Sequence, residues 1–308
     1  MDRTVQVLST VLPVILMLGI GMLCRAKRIL TRQGVDALKT VAVQIGLPAV
    51  LLSTFASAEY SPAMLAVPLI MFALCCAAFY LGKAGGKALG IQSRFLPFLT
   101  TGFEAGMLGY ALFELLYGRE KLADFARIDL GQVLFVFTLY KALLAREAEG
   151  KKKSPAGIVK EMALSPIIIS IAAGVLLGVT GLYQAMGEGK AILDACAQIA
   201  AAPVSALILI SVGYDLVLRD IPWRAALQAV GLRLAVMAAL GGAALLLFRA
   251  LWPQAAWEKP MLLMFLLPPP YVLSVFSNDE KQRAYLSSAL SVSTMVTLLG
   301  FVALAAVG

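Results

Sequence analysis

The chain repeats one pattern about ten times: an apolar run of roughly twenty residues, closed by a short gap that carries charge or helix breakers. About twenty residues at 1.5 Å each span the ~30 Å hydrocarbon layer of a bilayer. A segment surrounded by lipid must satisfy its own backbone hydrogen bonds. Runs of this length do so as helices, whereas a β-barrel would show alternating segments of about ten residues. The runs fall at about 6–24, 35–56, 62–81, 95–117, 122–144, 161–181, 192–218, 223–251, 260–277 and 284–307. Composition agrees, with 60% hydrophobic and 14% charged residues, where a soluble domain carries about a quarter charged. The expected fold class is an all-α integral membrane protein of about ten transmembrane helices, with the lipid bilayer as its main partner.

A net charge of +8 would suggest nucleic acid in a soluble protein. Here the cations occupy the gaps between runs, so no nucleic-acid partner is expected. Arg25, Lys27, Arg28 and Arg32 follow the first run, and Glu59 alone marks the second gap. Lys83, Lys87 and Arg94 fill the third gap, the sparse Arg119 to Lys121 turn the fourth, and Arg146, Lys151, Lys152, Lys153 and Lys160 the fifth. By the positive-inside rule the odd-numbered loops are cytoplasmic, both termini lie outside, and the 146–160 loop is cytoplasmic in a multi-pass cell inner (plasma) membrane protein. The first run shows no signal-peptide cleavage site and reads as a mature helix. Cys24, Cys75, Cys76 and Cys196 sit in apolar stretches at no metal-binding spacing and read as packing residues. With histidine absent, no metal site and no cofactor are expected.

The 146–160 segment is charged, contains Gly150, Pro155 and Gly157, and divides the chain nearly in half. It reads as a cytoplasmic linker between a five-helix repeat at 1–145 and a second at 161–308. Marks recur across it. Pro13 and Pro166 are 153 positions apart, and Pro48 and Pro203 are 155 apart. Gly109, Tyr110, Ala111 and Leu112 resemble Pro270, Tyr271, Val272 and Leu273 at an offset of 161. Since five is odd, the second half enters the membrane from the opposite side, which makes the repeats inverted.

Helix breakers fall at equivalent places in the fourth and ninth runs. The fourth holds Gly102, Gly106 and Gly109 within eight residues, which weakens the helix and allows close backbone approach. The ninth holds Pro268, Pro269 and Pro270, which remove three amide donors. Paired interruptions of this kind point to a substrate site, because half-helix N-termini offer amides to anions and unwound carbonyls offer oxygens to cations. The plainer alternative is that these residues only permit close packing and kinks.

Glu104 lies about ten residues into its run, where a carboxylate is costly enough to suggest function. It could bind a cation, carry a coupling proton, contact a cationic substrate group, or serve as a hydrogen-bonded structural carboxyl. Asp129 and Gln132, one turn apart, could line the same cavity, or Asp129 could sit in the outer interface. Arg233 reads as a helix-packing partner and Asp215 as an interfacial charge. Ser287, Ser288, Ser291, Ser293, Thr294 and Thr297 make the tenth run polar, a pattern that more often bonds back to helix carbonyls than to a ligand. No Walker loop, HExxH or nucleophile elbow is present, so no enzyme is expected, and the cytoplasmic segments are too short for an ATPase domain.

Leu12, Pro13 and Gly19 to Arg25, followed by Gly46 to Leu51, resemble the opening of auxin efflux carrier family proteins, bacterial relatives of the plant PIN-formed transporters. Glu104 to Gly109 is similar to that family's Asn-x-Gly-x-x-Gly element, and Leu267 to Phe276 to its proline-containing ninth span; Gln132, Thr138, Ser165 and Pro166 extend the likeness. Glu104 stands where relatives carry Asn, and Tyr110 where they carry Pro. The resemblance implies two inverted five-helix repeats with broken, crossing helices four and nine. It also implies a scaffold of helices 1, 2, 6 and 7, a mobile transport domain of helices 3–5 and 8–10, elevator-type alternating access and a homodimer. Substrates of that family are organic anions such as auxin and dicarboxylates, so the resemblance implies an organic acid or auxin-like anion. The expected function is therefore secondary transport of a small organic solute. The expected substrate site is Glu104, Gly106, Gly109, Tyr110, Gln132, Pro268, Pro269, Pro270, Tyr271 and Pro48, with ion or proton coupling at Glu104 and Asp129. A ligand sensor with the same fold is the alternative, disfavoured because the 308 residues hold no signalling domain. A channel fits opposed broken helices less well.

Overall fold

A computed structural model of the chain describes residues 3–58, 63–149, 154, 156–157, 160, 163–216, 221–276 and 280–307. Every regular element among them is helical. Besides a single turn at Leu182–Ala185 and a 3₁₀ turn at Tyr271–Phe276, these are in chain order α1 (Arg3–Ala26), α2 (Arg32–Ala56), α3 (Ala63–Ala88), the single turn α4 (Leu96–Leu99), α5 (Ala105–Tyr117), α6 (Arg119–Glu147), α7 (Pro166–Val179), α8 (Glu188–Asp215), α9 (Trp223–Leu251), α10 (Glu258–Leu266) and α11 (Glu280–Val307). Glu59 and the linker residues Lys151, Lys152 and Lys153 lie outside the described residues.

Among the described residues, seven helices are long and apolar enough to cross a membrane: α1, α2, α3, α6, α8, α9 and α11. The chain is a multi-pass helical membrane protein. Large apolar side chains point outward from these helices, as at Leu69 (69% exposed), Ile199 (77%), Leu246 (68%) and Leu299 (71%). In water such surfaces would be costly, and in a bilayer they are the lipid contact. The other apolar runs give shorter helices. α7 starts only at Pro166, whose fixed φ suits a first turn, after an extended Ser165. The fourth run divides into α4 and α5, and the ninth into α10 and a 3₁₀ turn at Tyr271–Phe276.

The helices associate through small residues. Gly21 of α1 lies against the Ile210 carbonyl of α8, and Gly213 of α8 lies against Leu18 of α1. Gly174 of α7 meets Leu52 and Phe55 of α2, and Gly46 of α2 meets Val204 of α8. In lipid, where apolar contact alone does not favour one helix pairing over another, such close approach supplies the packing energy. Together α1, α2, α7 and α8 form one packed group. In the other group α3 packs on α6, α9 on α11 and α3 on α9, with α4 and α10 held against them. Gly131 of α6 allows the first contact by lying against the backbone of Pro68 in α3.

The core of the second group is aromatic. Phe98 packs edge-on to Phe79 at 5.1 Å and to Tyr140 at 5.3 Å, while Phe113 stacks on Phe125 at 4.9 Å between ring centroids. These rings flank the interruption of the fourth run and fix its two ends. Gly213→Val would place a side chain on the Leu18 backbone and should destabilise by about 1–3 kcal/mol. Gly231→Ala, where an added Cβ meets nothing within 4 Å, should leave the melting temperature unchanged or raised. Thermal unfolding of the two purified variants in one detergent compares them directly.

Candidate functional site

The first interruption spans Thr100 to Glu104, N-terminal to two of the three glycines expected to cause it. Gly106 and Gly109 lie inside a wide helical turn at Ala105–Gly109, so they do not break the helix. Of the three glycines, only Gly102 takes part in the break. It adopts φ +67°, and an added Cβ would lie 2.9 Å from Pro270 Cγ. Gly109 serves close approach instead, with Leu267 Cδ1 2.6 Å and Phe125 Cζ 2.8 Å from where its Cβ would be. Hydroxyls around the break bond nearby carbonyls. Thr100 Oγ1 donates to Pro97 O at 2.9 Å, Thr101 Oγ1 to Cys75 O at 2.5 Å, and the Tyr140 hydroxyl to Phe98 O at 3.3 Å.

The second interruption is Leu267 to Pro270. Leu267 is extended at φ −62°, ψ 150°, as a residue preceding proline tends to be. The two breaks meet. Glu104 N donates to Pro268 O at 2.8 Å, and Tyr271 N donates to Glu104 Oε2 at 2.5 Å. Glu104 Oε1 accepts from Met107 N at 3.2 Å. One carboxylate therefore caps α5 and also the Tyr271–Phe276 turn, placing negative charge at the amide-rich start of both second halves.

Arg233 of α9 bonds the opposite ends. Its Nη1 donates to Leu99 O at 3.1 Å, and its Nη2 to Gly102 O at 2.8 Å and to Leu267 O at 2.7 Å. It is 3% exposed, and Phe103 lies under the guanidinium at 5.7 Å. Thr297 of α11 donates to Leu266 O at 2.6 Å. Carbonyl ends thus meet a cation and a hydroxyl, and amide ends meet an anion.

Behind Glu104, Tyr110, Asp129 and Gln132 form a buried chain. The Tyr110 hydroxyl donates to Asp129 Oδ2 at 3.0 Å, Gln132 Nε2 to Asp129 Oδ1 at 3.0 Å, and Phe103 N to Gln132 Oε1 at 3.4 Å. Asp129 is 3% exposed and belongs to this interior, not to the outer interface.

Tyr271 links the crossing to open space. Its hydroxyl lies 2.8 Å from Thr294 Oγ1, and both line a cavity of about 420 Å³ with Ser287, Ser291, Arg25 and Arg32. Arg25 Nη1 donates to Leu216 O at 2.9 Å and Tyr214 O at 3.2 Å. Asp215, at the cavity wall, is paired with Arg32 at 2.5 Å and with Lys39. The cavity thus holds two guanidinium groups beside one carboxylate that is already matched.

Of the expected site residues, Glu104, Tyr110, Asp129, Gln132, Pro268, Pro270 and Tyr271 lie within one connected cluster. Gly106 has free space apart from Leu47 Cδ2 at 3.4 Å, the side chain preceding Pro48. Pro48 and Pro269 are buried without a described polar contact to the cluster. Arg233 and the Lys39, Arg32 and Asp215 group were not anticipated as site residues. An arginine in the interior of the long apolar eighth run, away from Arg224 and Arg249 near its ends, was the available signal. Cys196, expected to pack, is exposed on α8. No group of three or more His, Cys, Asp or Glu side chains able to hold a metal occurs among the described residues. Searched against protein families and curated proteins, the chain matches no family model and no curated protein.

Replacing Glu104 by Gln puts an amide donor against a backbone donor and should cost about 1–3 kcal/mol; Ala, which frees both amides, should cost more. Gly102→Ala should also destabilise, through its φ and the Pro270 contact. Thermal melts of the three variants, ranked against Gly231→Ala, would show the order.

Proposed function

We propose that this chain is a secondary active transporter of a small organic solute, working by elevator-type alternating access. The observation that carries the reading is the junction of two interrupted helices at Glu104 and Pro268 directly beside an open cavity lined by Tyr271. Membrane carriers place substrate at such junctions because freed backbone groups are available there.

In this reading α4 with α5 is one broken span and α10 with the following turn is another, giving ten spans in two inverted halves. The helix pairings support the repeat. If spans one to five correspond to spans six to ten, the α1–α8 contact is the counterpart of α7–α2, and α3–α6 the counterpart of α9–α11. The group α1, α2, α7 and α8 is the scaffold, and α3 to α6 with α9 to α11 is the mobile block. The likeness to the auxin efflux carrier family, and with it a homodimer, is part of the proposal. So are the inner-membrane location, external termini and a cytoplasmic cavity mouth, which follow from the cationic gaps.

The cavity chemistry favours an organic anion. Arg25 and Arg32 exceed Asp215 in charge, while Ser287, Ser291 and Thr294 offer hydroxyls. A volume of about 420 Å³ suits a solute no larger than a small aromatic or dicarboxylic acid. Coupling runs through Glu104, with Asp129 behind it. Protonating Glu104 would turn an acceptor into a donor facing backbone amides and loosen the joint on which Tyr271 sits.

The test is counterflow in liposomes with labelled indole-3-acetate and a panel of mono- and dicarboxylates. The reading predicts saturable exchange with at least one anion. Loss of the charged donor in Arg25→Gln should raise its KM about tenfold or more. Ligand-induced stabilisation without exchange would favour a sensor, and no effect from any anion would remove the substrate class.

A further inference from the structure

Wherever a helix is interrupted at membrane depth, carbonyls lose their amide partners, and oxygens released in this way can coordinate a free cation. Here three such oxygens, from Leu99, Gly102 and Leu267, converge from the end of α4, the first break and the end of α10. We infer that this triad is a monovalent-cation seat whose permanent occupant is the Arg233 guanidinium, tethered there from α9. The inference does not depend on whether the chain transports.

Several features separate this from ordinary helix packing. All three contacts are direct, at 3.1, 2.8 and 2.7 Å, and they tie together the carbonyl ends of both broken helices. Arg233 is 3% exposed and forms no ion pair with a carboxylate within 4.0 Å among the described residues. Its charge is compensated by carbonyl dipoles, supported by the Phe103 ring. A planar fork can reach three oxygens on separate segments, which a single ammonium group does less well. Glu104 occupies the complementary place at the amide ends, so the crossing sets a carboxyl group at one side and a guanidinium at the other.

A tethered cation cannot leave, so this seat cannot exchange a metal ion with either side of the membrane. Whatever energises or regulates the protein does not act through sodium or potassium at these carbonyls. Arg233 is accordingly a positioning residue: it holds Leu267 and Gly102 where the Glu104 joint can form.

The probes are sodium, potassium, choline and methylguanidinium chlorides at equal ionic strength, and the readout is thermal unfolding of full-length protein in nanodiscs. Wild type should melt at one temperature in sodium, potassium and choline. Arg233→Ala should melt about 5–15 °C lower. Tens of millimolar methylguanidinium or sodium, but not choline, should restore a substantial part of that loss. Arg233→Lys should fall between the two and stay insensitive to added ions, which keeps the test usable if the alanine variant does not fold. A saturable rise of wild type in sodium over choline would overturn the inference. So would an alanine variant rescued equally by every salt, or one as stable as wild type.

Discussion

Every backbone group that leaves a helix inside a bilayer must find another partner, and the interior of this protein is organised around that requirement. The breaks at Thr100–Glu104 and Leu267–Pro270 release carbonyls and amides together. The Arg233 guanidinium, the hydroxyls of Thr297 and Tyr140, the Gln132 side-chain oxygen and the Glu104 carboxylate receive them. The two chain segments complete one another through the bond from Glu104 N to Pro268 O. The result is polar backbone at membrane depth that stays ordered because protein has replaced the missing helix.

That arrangement links fold to function. Besides Glu104 in the first break itself, side chains that satisfy the breaks come from α6, α9 and α11, so the crossing binds these helices to α5 and α10 as one unit. Tyr271 and its neighbour Thr294 carry the joint outward to the cavity. On the facing side, Arg25, Arg32 and Asp215 belong to α1, α2 and α8 or to their ends, which pack separately through Gly21, Gly213 and Gly174. A solute in the cavity would touch both units, which is where relative motion would be felt.

Much of this was legible in the sequence because hydrocarbon thickness imposes a length on every span. Among the described residues, seven of the ten apolar runs are helices long and apolar enough to cross a membrane, the sixth is the shorter α7, and the fourth and ninth are divided. Legibility ended where partners are distant in sequence. Glu104 stood out as a costly mid-span carboxyl, but its double capping role depends on Tyr271, 167 positions away. Arg233 looked like a packing residue because nothing in its own run shows where freed carbonyls point. Glycine spacing located the fourth break only approximately, since Gly109 is required by Leu267 and Phe125 and not by the backbone turn. Asp215 read as an interfacial charge, and its own run gave no sign that α2 brings Arg32 and Lys39 beside it.

The central claim is that the crossing makes α3 to α6 and α9 to α11 a rigid body that moves against the α1, α2, α7 and α8 group. Spin-label distances test it most directly, in a background with Cys24, Cys75, Cys76 and Cys196 replaced. One pair, Leu69 and Leu246, lies within the block, and a second, Ile199 and Leu246, bridges the two groups; all three positions are exposed. The account predicts one narrow distribution for the first pair in every condition and two populations for the second. A single narrow distance for the bridging pair, or a broad one within the block, would contradict it.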